Sequence, residues 1–536
     1  MWYSTKSKLS HEIRFTVFTP LPIAGSTQVL FQKELTYPYH INIEDFAILP
    51  DKGYLICGGI QATTPDSSYA IIMRVDSLMQ VQWSGKYVAL ARDYFKCITP
   101  LYDGNFAVGG AIKQNFSNFY GSTLYKIDEN GDVFWCKNYA KNFDDVIYEV
   151  VEQSDNTLLL IIRHGVSGQP SKILKVDGSG AILSQYSIST TNTLPGVVLD
   201  HAKGNSFGDV FIGGLVLNNA TGKYMFFLAK LNTSDVLWYR EYDFGRASSL
   251  LNDIVVLDDG NIAVTGSVRD GNLTDISNAY LMKISQGSGD IIWAREIKQE
   301  NGFYAAGFGL AAAENNNIVL CGIANSEEGY KAIATKHDES GQIIWEKNYG
   351  EGDYGYLTSV LNIDNNAFLF SGFMSLSGGN YLIKSDLNGS SSCLTNNFDF
   401  VLNDLNTSYY TPDIILNDLE FDLLSPSFSI VPINLDENLI CEGTVNINKK
   451  PFTPSPIIYP NPASDMVSIQ LPAENLNTEV SVAVFNSQLK LIHTDNLSIE
   501  INDKLIKLNT ENFKPGLYIF EVKTEKGLFS GKFVKK

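Results

Sequence analysis

Five carboxylates stand near the starts of recurring apolar runs: Asp45, Asp93, Asp145, Asp253 and Asp353. Gathered at one centre, two of them would suffice for glycoside cleavage, with one carboxyl group donating a proton and the other attacking, or activating water, ~5 to 10 Å away. Such residues more often bond a neighbouring connection or solvate a rim, and that is the preferred reading. Other reactive patterns are missing. The six histidines (His11, His40, His164, His201, His337, His493) show neither H-x-x-x-H nor H-E-x-x-H spacing, and no C-x-x-C, G-x-S-x-G, P-loop or dinucleotide fingerprint occurs. No metal site and no cofactor is therefore expected. Aromatic residues form a second group: Phe116, Phe119 and Tyr120, with Tyr304, Tyr354 and Tyr356. They suit stacking on sugar rings or gripping a protein, and equally suit packing their own loops.

The elements that position these residues are set by a repeat. DENGDVFWCKNY (128–139) returns 210 residues later as DESGQIIWEKNY (338–349). Trp83, Trp135, Trp238, Trp293 and Trp345 follow at spacings of 52, 103, 55 and 52, and the long step hides a copy with Ser184 in the tryptophan seat. A glycine closing an apolar run keeps the same register at Gly58, Gly110, Gly214, Gly266, Gly322 and Gly372. Seven copies of about 52 residues result. Each holds four short runs rich in Val, Ile, Tyr and Phe, which predict strands. Asp-x-x-Gly pieces (128–131, 177–180, 338–341, 386–389) predict hairpin turns, each with too few oxygen ligands to hold calcium. Four antiparallel strands at this period predict a propeller blade.

The seventh copy lacks its fourth strand, whereas QVLFQKEL (28–35) carries Phe31 in the tryptophan seat 52 residues before Trp83. The N-terminal strand is thus expected to complete the last blade and hide the open edges. Lys137, Arg240, Arg295 and Lys347 recur on the outermost strand and read as charges that deter edge pairing. Short turns resemble one another between copies, but the loops between second and third strands vary freely, as IQATTPDSS and VRDGNLTDISN show. Variation confined to one face of a rigid array is how a binding surface is built.

With this register, residues 28–392 resemble the SBBP repeat family, through WEKNYGEGDYGY (345–356) and DDGNIAVTGS (258–267). The resemblance implies a seven-bladed β-propeller and says little of chemistry. Net charge is −19, with no basic run outside the extreme C-terminus, so nucleic acid and anionic membranes are not expected as partners. No apolar stretch reaches the ~20 residues of a transmembrane segment.

Residues 393–448 contain no Lys or Arg and nine acidic residues, and 393–456 reads as an acidic linker with some strand character. From 457 to 536 short strands return, predicting a small immunoglobulin-like β-sandwich. Tyr459, Pro460, Asn461 and Pro462, then Leu508, Asn509, Gly516 and Tyr518, and the basic end with Lys532, Lys535 and Lys536 resemble the type A C-terminal sorting domain of Bacteroidota. The turn glycine usual in that family is replaced by Gln488 or Leu489. This resemblance implies recognition by type IX secretion machinery and delivery through the periplasm to the outside or to the cell surface. Residues 1–27 then read as a signal peptide or leader. Export permits disulfides; Cys393 and Cys441 flank the acidic stretch and form the expected bridge, while Cys57, Cys97, Cys136 and Cys321 sit in apolar runs as buried small hydrophobes. The expected role is binding, adhesion or scaffolding toward an extracellular glycan or protein. The alternative is a polysaccharide-acting hydrolase or lyase using the propeller channel.

Overall fold

The computed structural model describes residues 27–536 apart from 39, 62–67, 89–92, 114–119, 141–144, 165–169, 192–196, 206–207, 233–234, 272–276, 300–303, 327–328, 351–353, 364–365, 375–379, 392, 420, 447–456, 460–462, 471–478, 487–490, 499–504, 515 and 525–526. The described residues are all-β, with one 3-10 turn at Glu314–Asn316. One compact unit spans Ser26–Asn446 and another includes Ile447–Lys536.

The larger unit is propeller-like. Four-stranded antiparallel meanders occupy 40–88, 93–140, 145–190, 198–243, 248–298 and 305–349, and a seventh joins three strands of 355–385 to Thr27–Thr36. The fourth and fifth meanders merge into one sheet through a single parallel bridge, Tyr224 to Ser248. First strands pack on one another in chain order, and Gly355–Ile363 also touches His40–Ile48. Second strands such as Ile262–Arg269 are buried nearly throughout, because neighbours cover both of their faces.

The repeated tryptophans and turn glycines share a period because they touch. A β-carbon on Gly131, Gly180, Gly341 or Gly389 would meet Trp83, Trp135, Trp293 or Trp345 of the preceding sheet at 2.6 to 3.1 Å. These glycines have φ near +80°, where a side chain is disfavoured. The residue four beyond the tryptophan completes the clamp: Tyr87, Tyr139, Tyr242 and Tyr349 donate hydroxyl bonds of 2.7 to 2.9 Å to the carbonyls of Gly131, Gly180, Gly289 and Gly389. Within the turns, Asp128, Asp177, Asp338 and Asp386 accept amide hydrogen bonds from the second and fourth residues beyond them.

The N-terminal strand pairs with Asn380–Ser385 on one side, as its residues predict. Its other side is covered as well. The 393–446 stretch, expected as a linker, forms seven strands that each extend an outermost strand. Thr395–Asn397, Val401–Asp404, Ser408–Tyr410, Ile414–Asp418, Asp422–Leu424, Ser429–Pro432 and Asp436–Asn446 pair with the sixth, fifth, fourth, third, second, first and seventh sheets in turn. The stretch is thus a belt laid along the outer edges in reverse chain order. The recurring basic residues consequently do not guard free edges. Lys347 donates to Asn397 (2.5 Å), Lys137 to Ser425 (3.1 Å), Arg295 pairs with Asp404, and Arg240 lies 5.1 Å from the Tyr409 ring centroid. Lys33, two residues beyond Phe31, reaches Glu437 at 3.3 Å. An acidic belt without Lys or Arg complements this basic rim. The Cys393–Cys441 bridge forms as expected, and the remaining cysteines are buried.

The C-terminal unit has a three-stranded sheet (Ile457–Tyr459, Met466–Gln470, Leu505–Asn509) and a four-stranded one (Leu491–Ser498, Glu479–Asn486, Gly516–Thr524, Gly527–Lys535) over a core with Val467, Leu508, Phe520 and Phe533. Of the motif residues, Tyr459 closes its strand opposite Ser468, while Pro460, Asn461 and Pro462 lie outside the described residues. Tyr518 donates to the Lys514 carbonyl (2.8 Å) and stacks on Phe533. Lys535 is buried and bonds the Ser464 carbonyl, so these two act as packing elements here.

Candidate functional site

Every first strand breaks register at the same place. The shifts fall before Asp45, Cys97, Glu149, His201, Asp253, Gly309 and Ser359. A bulge inserts one residue and re-aims its side chain. Opposite each bulge stands the repeat glycine, where a β-carbon would come within 1.8 to 2.1 Å of a first-strand carbonyl at Gly58, Gly110, Gly214, Gly266, Gly322 and Gly372. Only the third sheet departs, placing Ile162 there.

The bulges line a cavity of about 550 Å³ between the first strands. Five carboxylates border it, Glu44, Asp45, Glu149, Asp200 and Asp253, beside Lys96 and Lys203. Lys96 pairs with Glu44 (2.6 Å), Lys203 with Glu149 (3.4 Å), and Arg163 reaches Asp200 (2.7 Å). Asp45 accepts from its neighbour Phe46 (2.8 Å) and from Ile98 of the next sheet (2.9 Å); Asp253 does the same with Ile254 (2.7 Å) and Leu310 (2.8 Å). These two aspartates therefore stitch adjacent first strands. Burial dominates the acid–base behaviour. It pushes Glu149 up to about 7 and Asp200 up to about 6 despite their cationic partners, and holds His201 down to about 3. Lys203 is raised, chiefly by Glu149, then by Asp253 and Asp45.

Beside this cavity lies an aromatic cup of about 400 Å³, formed by Tyr304, Phe308, Ile323, Tyr330, Tyr354 and Tyr356. Phe308 borders both spaces. The rings meet edge to face, with centroids 5.7 Å apart for Tyr304–Tyr330 and Tyr330–Tyr354, and 5.9 Å for Tyr354–Tyr356. Parallel bridges at successive sheet junctions, Ser277 to Tyr304 and Tyr330 to Tyr354, fix the backbone beneath them. Tyr354 is 43% exposed, and no hydroxyl of the four tyrosines has a hydrogen-bond partner among the described residues. The cup has no charged side chain among the residues that form it.

The residues singled out in the sequence divide accordingly. Tyr304, Tyr354 and Tyr356 come together, joined by Tyr330 and Phe308, which sequence reasoning missed. Phe116, Phe119 and Asp353 lie outside the described residues, and Tyr120 opens its strand with an undescribed side chain. Asp45 and Asp253 border the cavity, whereas Asp145 is buried against Lys172 (2.5 Å), and neither Asp145 nor Asp93 borders it. The reason is register. Asp45 and Asp253 stand thirteen residues before their repeat glycines, while Asp93 stands seventeen before Gly110 and Asp145 seventeen before Ile162 in the glycine seat. The thirteen-residue offset also reaches Glu149 and His201, and was the signal available.

Residues 457–536 match the family described as a secretion system C-terminal sorting domain. This tail makes the chain one handled by type IX secretion, destined for the medium or the outer surface. No curated protein matches the chain. Among solved structures, it is similar to PorZ, a surface component of the type IX secretion system of Porphyromonas gingivalis (10% identity over 94% of this chain and 82% of that one, TM-score 0.35). It is also similar to an ulvan lyase of polysaccharide lyase family 25 (12% identity, 69% and 97% covered, TM-score 0.43) and to a protein of unknown function from Dyadobacter fermentans (8% identity, 67% and 99% covered, TM-score 0.39). Identities this low leave those proteins' roles with those proteins.

Proposed function

We propose that the seven meanders form a closed seven-bladed propeller of SBBP type, made by a member of the Bacteroidota, and that it captures a neutral glycan outside the cell through the tyrosine cup. A leader within residues 1–27, ending ahead of the Thr27–Thr36 strand, opens this route, and residues 457–536 are the address. The observation that carries the reading is the set of four tyrosine rings around one cavity, whose hydroxyls meet no hydrogen-bond partner among the described residues. Aromatic faces cover the C–H face of a sugar while hydroxyls at their rims exchange hydrogen bonds with its OH groups. Charge narrows the class: the cup is uncharged, the adjoining cavity is bordered by five carboxylates and two lysines, and the chain carries −19. A sulfated or uronate-rich chain would be repelled.

The test is a glycan array probed with full-length protein, followed by titration of the best neutral oligosaccharide. Tyr330→Ala and Tyr354→Ala should each weaken capture by ~1 to 3 kcal/mol, with melting temperature held. Preference for anionic chains, or affinity unchanged in both variants, would overturn the reading. A second reading, a hydrolase or lyase acting in the channel, draws on Glu149, whose value of about 7 suits proton transfer near neutrality. Release of cleavage products by the intact protein, lost in Glu149→Gln, would promote it.

A further inference from the structure

We propose that residues 393–446 act as a hoop, closed by the Cys393–Cys441 disulfide, that locks the sheet array after it has folded and slackens when that bond is reduced. Every partner of the belt lies upstream of it, between residues 27 and 349. Its strands therefore have nothing to pair with until the outermost strands exist, which makes it the last part of this unit to settle. Six of its seven strands are only three to five residues long and largely exposed, too short to hold by themselves. They depend on being held at both ends.

Both ends meet at the N-terminal strand. Gln32 donates from its side chain to the Cys393 carbonyl (2.6 Å) and to Ser391 (2.7 Å), and its own backbone stands opposite Cys441. Thr27–Thr36 is thereby enclosed between Asn380–Ser385 and Asp436–Asn446, and the bridge joins the chain segments that flank it. The strand that completes the seventh sheet comes from the far end of the sequence and is held in that sheet by hydrogen bonds alone, since it contains no cysteine. A bridge across it fastens the array at its one non-consecutive junction. Closure is a two-thiol oxidation: Cys393 and Cys441 each lose a proton, the S–S bond forms, and two electrons pass to a small-molecule or protein disulfide, which becomes two thiols. Both cysteines are half-buried, hence open to a reductant, while Cys57, Cys97, Cys136 and Cys321 are buried in strands and do not compete.

Peptide-level hydrogen exchange on the full chain tests this, comparing protein oxidised with glutathione disulfide and protein reduced with a phosphine. Reduction should speed exchange at least tenfold in 395–446 and in 27–36, and leave second strands such as Ile262–Arg269 unchanged. The double variant Cys393→Ser, Cys441→Ser should match the reduced protein and no longer respond to phosphine. Should that variant fail to fold, reduction of the folded wild-type protein supplies the same comparison. Belt exchange unaltered by reduction would mean that strand pairing alone holds the belt, and an equal rise throughout the unit would mean a general staple. Either result overturns the hoop.

Discussion

The outermost and innermost strands of the sheets obey different rules. On the outermost strands side chains recur: a tryptophan on the next turn glycine, a basic residue toward the belt, a tyrosine hydroxyl on a carbonyl. On the innermost strands the backbone recurs in every sheet while most side chains do not, Asp45 and Asp253 being the repeated pair. The same bulge carries Glu44–Asp45, Lys96–Cys97, Tyr148–Glu149, Asp200–His201, Asn252–Asp253, Phe308–Gly309 and Thr358–Ser359. Repeated contacts demand repeated residues. A repeated cradle whose contents mostly differ is not explained by packing alone, and the proposed function draws on that difference.

The largest effect should come from deleting residues 28–35. That removes the fourth strand of the seventh sheet and the partner of Asp436–Asn446 together, exposing sheet edges. The protein should aggregate or unfold cooperatively at a much lower temperature; retention of the parent melting temperature would break the assignment of this strand. Next comes Gly266→Ala, whose β-carbon would lie 1.8 Å from the Leu250 carbonyl oxygen. The bulge must shift, costing about 3 kcal/mol in denaturant unfolding. A near-neutral result would detach the repeat glycine from the bulge. Trp345→Ala on the outer side should cost somewhat less, about 2 to 3 kcal/mol, because the ring is half-buried and its indole N–H bond to the Leu387 carbonyl (2.9 Å) is lost with it.

The same contrast explains what was legible. Trp345, Gly389 and Tyr349 wrote a period because their contact occurs in sheet after sheet, so strands, turns and the place of Thr27–Thr36 followed from spacing. The belt left no period. Each of its strands meets a different outer strand once, and the spacing of about seven residues between strand starts carries no fixed residue type. Only its charge, wholly acidic against a basic rim, pointed to it, and that charge suits a solvated linker equally well. At the site, Tyr304, Tyr354 and Tyr356 were found because aromatic rings at the loops of one face suit stacking on a ligand. The cavity carboxylates were mixed with others four residues away, since a bulge changes which side chains face inward and leaves no mark in an apolar alternation.

A pH titration sharpens the comparison with the smallest effect. At the outer side, the turn carboxylate Asp177 lies below the usual carboxylate value, first through its hydrogen bond from Ser179. It stabilises the fold above pH ~4 and loses that contribution as the pH falls further. Glu149 does the opposite. Its value rises from 4.5 to about 7 because burial disfavours the charge more than Lys203 supports it. Between those two values the folded protein keeps a proton that the unfolded chain has released. More protons bound in the folded state means that stability falls as pH rises from about 4.5 to 7. Glu149→Gln removes this term and should flatten the decline by on the order of 1 to 3 kcal/mol across the window. Asp177→Asn should leave that window untouched and act only under more acidic conditions. An unchanged slope in Glu149→Gln would mean that water reaches the inner carboxylates as freely as the outer ones, and the inner ends of the sheets would lose their distinct chemistry.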